Sequence, residues 1–167
     1  SLFILLKTTK KEVQTEELKM SGTYSFMDTQ CTLTSAEGVV DLGYGAAIAD
    51  EGITFAMAGD KNTMTVGADG EGMHSLHADN SGQVTVRLLK TSPTNAKLMN
   101  IYTAQKASPK KWGKNTITLN HAGSGDNHTA SKCAFKKAPD YINAKDGSTV
   151  EWVFDSIKVD MKLGKYE

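Results

Sequence analysis

Four histidines, two cysteines and scattered carboxylates are the side chains of this 167-residue chain that could do chemistry. His74-Ser-Leu-His77 sets two imidazoles at i,i+3, and His121, His128 and Cys133 could complete a ligand set. Zinc ligands recur in tighter pairs than these. The segment also reads as a loop running into a strand, where positions i and i+3 face opposite ways. A nucleophilic serine would need a sharp elbow. No Gly-x-Ser-x-Gly stands in the chain, and Gly123-Ser-Gly-Asp126 reads as a Gly-rich turn. Asp50 and Glu51 are neighbours on a strand, so their carboxylates point to opposite faces and are unsuited to shared acid–base work. Gly43-Tyr-Gly45 and Gly67-Ala-Asp-Gly-Glu-Gly72 lack the Lys-Ser/Thr of a phosphate loop. Trp112 after Lys110-Lys111 is one aromatic beside two lysines, a thin nucleic-acid signature. The expectation is a chain without catalysis, cofactor or metal.

Composition bounds the rest. The length suits one domain with a real core. Nineteen basic and nineteen acidic side chains cancel, which disfavours gripping nucleic acid by bulk electrostatics. No apolar run approaches the ~20 residues of a membrane span. Cys31 and Cys133 stand far apart, with no Cys-x-x-Cys, as expected for a reducing compartment.

The elements are mostly strands. Gln83-Val-Thr-Val-Arg-Leu88 and Thr116-Ile-Thr-Leu-Asn120 alternate with period two, the pattern of half-buried strands. Residues 23–34, 52–57, 62–67, 131–137 and 149–163 read the same way. In the last, Val150, Trp152 and Phe154 share one face. Ile157, Val159, Met161 and Leu163 join that face only if one residue is inserted near Asp155–Ser156, which is how a β-bulge looks in sequence. Ser92-Pro93 opens a helix, Leu98, Ile101, Tyr102 and Gln105 follow at helical spacing, and Ser108-Pro109 closes it. Ile53–Met57 and Asn62–Val66 flank Gly59-Asp60-Lys61-Asn62, which reads as the turn of a projecting hairpin. The fold class is therefore mainly β: an antiparallel barrel or sandwich with one flanking α-helix.

Charge is segregated along the chain. Residues 21–89 hold nine acids and two bases, and residues 90–145 hold ten lysines and two acids. Such halves suit self-complementary faces that stack head to tail, although solvated surface charge would look the same. Residues 1–19 differ from the remainder: Leu2–Leu6 is apolar, then Lys, Glu and Thr dominate. Two readings stand, a mobile arm or a non-native extension ahead of a biological start at Met20, leaving 20–167 as the domain.

From Gly43 onward the chain resembles a known family. Residues 60–77, from Asp60-Lys-Asn-Thr-Met to His74-Ser-Leu-His77, and 82–99, from Gly82-Gln-Val-Thr-Val to Lys97-Leu-Met99, are similar to the tail tube proteins of contractile-tailed bacteriophages and prophages. The opening Ser21-Gly-Thr-Tyr-Ser-Phe-Met-Asp28 and the closing Trp152-Val-Phe-Asp-Ser-Ile-Lys-Val-Asp160 fit as well. The resemblance covers residues 20–167 and implies the fold of the type VI secretion tube protein. It also implies six copies in a ring, and rings stacked into a hollow tube within a contractile sheath. DNA would pass through without specific binding. The implied partners are further copies, the sheath protein, the tail-assembly initiator or baseplate and the tape measure protein. The implied place is the virion tail, assembled in the bacterial host's cytoplasm. No membrane is among the implied partners.

On that reading Gly59, Asp60, Lys61, Asn62, Lys110, Lys111, Lys136 and Lys137 are candidates for contacts between subunits. DNA must slide, so the wall of the lumen should not be basic. Asp28, Asp69, Gln83 and Thr85 are the candidates for it, with the 92–107 helix outside. Two alternatives stay open: a monomeric β-sandwich module for carbohydrate or protein ligands, using Tyr44, Trp112 and Tyr141 as platforms, and a metalloenzyme using the histidines.

Overall fold

The computed structural model describes residues 24–43 and 48–165. The expectation about residues 1–19, and Tyr44, lie outside these. Among the described residues, a 3-10 turn at Phe26–Asp28 is followed in chain order by nine strands and one helix. They are β1 (Thr29–Ser35), β2 (Gly38–Asp41), β3 (Ile48–Met57), β4 (Asn62–Val66), β5 (Gly72–Leu76), β6 (Gly82–Leu89), α1 (Thr94–Lys106), β7 (Asn115–His121), β8 (Asp126–Phe135) and β9 (Thr149–Lys162). Seven strands form one antiparallel sheet in the order β2-β1-β7-β8-β9-β6-β3, and β4-β5 form a separate hairpin.

The alternation read from the sequence places the core. Val84 and Val86 of β6 are buried together with Phe154 and Trp152 of β9, their in-register neighbours, and Leu88 is buried beside half-buried Val150. Cys31, Leu33, Ile117, Ala130, Cys133 and Phe135 continue the same face. Helix α1 covers it with Leu98 and Ile101. The Trp152 indole N–H donates to Asn95 Oδ1 at 3.0 Å, and Tyr102 meets Phe135 edge to face at 5.5 Å. Each such large side chain removed from water stabilises the fold by roughly 1.5–3 kcal/mol. At the helix entry the Thr94 N–H donates to Ser92 Oγ at 3.3 Å. The sheet is strongly curled: Phe55 on edge strand β3 reaches His128 on β8, ring centroids 5.6 Å apart, although two strands lie between them in the sheet. Among the described residues it stays open, with β2 and β3 as its edges, so of barrel and sandwich it is the sandwich-like form.

The curl has a local cause. Between Ser156 and Val159 the buried positions of β9 slip by one residue. On the β6 side Gly82 pairs Ser156, yet the Val159 N–H donates to the Asn80 carbonyl, so β9 carries one extra residue there. On β8, Lys132 has φ of 52°, left-handed for a non-glycine residue, and the β7–β8 register slips around it. The two irregularities sit opposite each other, so the β8–β9 register itself is unbroken. Paired bulges sharpen twist and bend a sheet at a corner. The expected bulge is therefore present, one to two residues later than the sequence suggested. Past it Val159 is buried, while Ile157, Met161 and Leu163 are exposed.

The expected hairpin is corrected. β3 pairs with β6, not β4, and β4 pairs with β5 across Gly67–Glu71. There the Gly67 N–H donates to the Glu71 carbonyl at 2.7 Å, and Gly70 has φ of 87°. That is a three-residue hairpin loop with glycine at its left-handed position, and Asp69-Gly70 was its signal. Gly59–Asn62 is instead the stem joining sheet to hairpin. Among the described residues no helix is long and apolar enough to cross a membrane.

Candidate functional site

Antiparallel connectivity sorts the loops onto two ends of the sheet. One end carries residues 24–28, the hairpin with its stems (58–81), the β7–β8 turn and residues 163–165. The other carries the β1–β2 turn, both approaches to α1 and the β8–β9 loop at 136–148. The first set holds Asp28, Asp60, Asp69, Glu71 and Asp79 against Lys61 and Lys165. The second holds Lys90, Lys110, Lys111, Lys114, Lys136, Lys137 and Lys145 against Glu37, Asp140 and Asp146. The charge blocks of the sequence thus become an acidic end and a basic end of one molecule.

The hairpin stands out from the acidic end. Every residue of β4 is exposed, and of β5 only Ser75 is half-buried. The register puts Met64, Val66 and Leu76 on one face with Asn62 and His74. These three apolar side chains are 60%, 56% and 87% exposed, on a strand pair covered by none of the described residues. The stem is held rigidly nonetheless. Lys61 Nζ donates to the Asp79 carbonyl at 2.6 Å, to the His77 carbonyl at 3.3 Å and to Asn80 Oδ1. Of the stem candidates, Lys61 is thus a clasp across the two stems, whereas Gly59, Asp60 and Asn62 are exposed at the hairpin's root.

At the basic end Lys110 and Lys111 lead into β7, and Lys136 and Lys137 leave β8. Asn115 and Cys133 are in register, so both runs emerge side by side. Lys111 lies 3.7 Å from Glu37, and Lys137 lies 3.8 Å from Asp140. A buried amide pair fixes this end. Gln105 Nε2 donates to Asn115 Oδ1 at 2.6 Å, and Asn115 Nδ2 donates back to Gln105 Oε1 at 2.9 Å. Gln105 Nε2 also reaches Glu37 Oε2 at 3.1 Å. That bond, helped by nearby Lys111, holds the Glu37 carboxyl below the usual range. Sequence reasoning gave Gln105 a helical-face position but missed this pairing, since nothing local links it to Asn115.

The sheet face away from α1 is mostly polar, with Val39 beside Thr34 and Val153 beside Thr85 as apolar exceptions. It carries Gln30, Thr32 and Thr34 of β1, Thr116, Thr118 and Asn120 of β7, Asn127, Thr129 and Ser131 of β8, and Gln83, Thr85 and Arg87 of β6. Two of the four lumen candidates, Gln83 and Thr85, therefore lie on this face. Asp28 sits in the 3-10 turn and Asp69 in the hairpin loop, both at the acidic end.

The histidines do not converge. His74 contacts Asn62 at 3.0 Å and His77 contacts Thr63 at 2.6 Å, on opposite faces of the hairpin. His121 is committed elsewhere: the Ser124 N–H donates to its Nδ1 at 3.3 Å, so Nε2 carries the proton and donates to the Ser25 carbonyl at 2.9 Å. Tyr24 stacks on it at 5.1 Å. Among the described residues no three His, Cys, Asp or Glu side chains are grouped to hold a metal. Burial pushes the Cys31 thiol up to about 12 and raises that of Cys133, so neither is a thiolate nucleophile at neutral pH. Trp112 packs on the edge of Tyr102 at 6.2 Å, and Tyr141 lies under Lys90 Nζ at 4.7 Å. A cavity of about 370 Å³ opens between β3 and the β7–β8 end, lined by Tyr24, Phe55, His121, His128, Met161 and others. Of its polar groups, His121 and Asp126 are hydrogen-bonded within the fold, whereas the buried His128 Nδ1 has no hydrogen-bond partner among the described residues.

Residues 20–164 match the family described as the bacteriophage PhiTE tail tube protein. No curated protein matches the chain in sequence. Several solved structures share its fold. A sheath/tube terminator chain of an extracellular contractile injection system is 11% identical with a TM-score of 0.55, over 85% of this chain and 99% of its own. A chain of the sheath-tube complex of such a system is 12% identical with a TM-score of 0.54, over 89% and 97%. A chain from the tail of an empty GTA particle, refined with C6 symmetry, is 11% identical with a TM-score of 0.53, over 84% and 99%.

Proposed function

The chain belongs to the bacteriophage PhiTE tail tube protein family, and from that premise we propose that it polymerises head to tail into a hollow tube. Rings of six copies close through the two edges of the described sheet, β2 and β3, because an edge strand is a template for pairing. Rings then stack with the acidic hairpin end of one against the lysine end of the next. The observation that carries this reading is the placement of opposite charge at opposite ends of one sheet, with an uncovered hairpin at the acidic end. A heterologous contact of that kind repeats without closing, and so makes a filament.

In this arrangement α1 lies outside, toward a sheath protein, and the polar face lines the channel through which DNA is delivered. Ring assembly begins on an initiator or baseplate, and a tape measure protein occupies the channel beforehand. The protein is a component of the virion tail, assembled in the host cytoplasm, and its role is structural.

Negative-stain micrographs of the purified chain test the reading. Tubes or six-fold rings are expected at low salt. Isolated particles of one chain at every concentration and salt would count against it.

A further inference from the structure

Besides the apolar hairpin row at the acidic end, the described residues form an apolar groove at the basic end. It measures about 240 Å³ and lies between the first half of α1 and the β8–β9 loop. Met99 of α1 and Pro139, Tyr141 and Ile142 of the loop line its sides, and Val150 and Trp152 of β9 lie beneath. The loop is tied down at both arms by one residue. Lys90 Nζ donates to the Ile142 carbonyl at 2.6 Å and sits 4.7 Å from the Tyr141 ring centroid, and the Lys90 N–H donates to the Ser148 carbonyl at 3.1 Å. This holds the groove open while leaving Tyr141 81% and Ile142 53% exposed on its rim. A single exposed apolar residue needs no explanation, but a preformed apolar groove with apolar side chains on its rim marks a site for a partner.

Charge says which partner. Lys90 lines the groove, and Lys136, Lys137 and Lys145 stand on the same loop against Asp140 and Asp146. A surface steered there carries apolar side chains among acids. The hairpin has that combination: Asp69 and Glu71 in its loop, Asp60 and Asp79 on its stems, and Leu76, Met64 and Val66 in a row between. Hairpin and groove lie at opposite ends of one sheet, so a chain cannot seat its own hairpin, whereas a second copy placed head to tail presents one to the other. Resting on the stacking in the proposed function, we propose that the groove of Met99, Tyr141 and Ile142 is the socket for the Leu76–Met64–Val66 row of a copy in the next ring. Two roles then separate. The charges around the socket set how fast rings meet and how salt slows them. The apolar seat, dry once filled, is not screened by salt and sets how slowly they part. Every copy in a ring contributes one seat, so contacts that are weak singly hold together.

The test uses tubes grown from the full chain. Tyr141→Ser with Ile142→Ser strips the rim. Both side chains are exposed, so the urea midpoint should not move. Growth should keep its salt dependence, while diluted tubes should dissolve about tenfold faster or more. Wild-type tubes moved to about 1 M salt, where screening leaves ~3 Å, should persist. A second variant reads the contact directly: Leu76→Cys with Ile142→Cys in one chain, the native Cys31 and Cys133 being buried. A flexible bis-maleimide should link its chains into a ladder within tubes and leave unassembled chains single. If the serine pair stops growth altogether, this cross-link decides. Wild-type tubes that dissolve in high salt, serine-variant tubes as durable as wild type, or double-cysteine tubes without a ladder would each overturn the inference and leave the tube standing. An absence of tubes from the wild-type chain would instead defeat the proposed function.

Discussion

Single residues fix the geometry of the two ends. The Gln105–Asn115 amide pair is buried and reciprocal, so removing one partner strands the other. Asn115→Ala should cost about 1–3 kcal/mol in urea unfolding, and Gln105→Ala a similar amount. A loss within experimental error would show that the pair is dispensable for stability. A second residue-level expectation concerns acid. The Asp126 carboxyl is held below its ordinary range, first by the Gly164 N–H at 2.7 Å and then by Ser124. Glu37 and Asp79 are lowered likewise, Asp79 through Ser81. A carboxyl with a depressed folded pKa binds its proton more tightly when unfolded. Its contribution is complete above the unfolded value of about 3.9–4.3 and is lost as pH falls through the folded value. Thermal unfolding followed from pH 6 downward should show the midpoint dropping below about pH 4, with a shallower drop in Asp126→Asn. A variant whose acid profile overlays the wild type would remove Asp126 from this account.

At the scale of elements, the hairpin separates folding from assembly. Its Met64, Val66 and Leu76 contact no core, so Met64→Ser, Val66→Ser and Leu76→Ser together should leave the unfolding midpoint unchanged within a degree or two. If a neighbouring copy covers that face, burial there contributes roughly 1.5–3 kcal/mol per side chain, and the variant should be folded but unable to grow tubes. Normal tubes would show that this face is free in the assembly. The elements also show what alternation can report. Strands with one face on the core, such as β6, β7 and β9, were legible because burial imposes period two. So was α1, from its entry serine and proline and the spacing of Leu98, Ile101 and Gln105. β5 was missed because both its faces are open, and Gly-Met-His-Ser-Leu therefore carries no core-facing period. β2 was missed because four residues are too few to alternate visibly. The turn was misplaced to Gly59 for the related reason that β4 has no core face to mark its partner. Of the candidate site, the charge blocks were legible, but the separation of the ends came only from connectivity, which decides where each loop emerges.

For the whole molecule the claim is axial polarity, an acidic end and a basic end on one sheet. Exposed charges are screened beyond ~8 Å at physiological ionic strength, so light scattering should report slower tube growth at high salt. Reversing Lys110, Lys111, Lys136 and Lys137 to Glu should abolish growth while leaving the secondary structure intact by circular dichroism. Growth rates independent of salt would mean that apolar and backbone contacts dominate. The most direct measurement is a cryo-EM reconstruction of assembled tubes at side-chain detail. The account expects the β4–β5 hairpin of each ring to lie against the Lys110–Lys114 and Lys136–Lys137 segments of the next, with the threonine-rich face of the sheet turned to the channel. Rings stacked hairpin end to hairpin end, or a channel lined by those lysines, would contradict it.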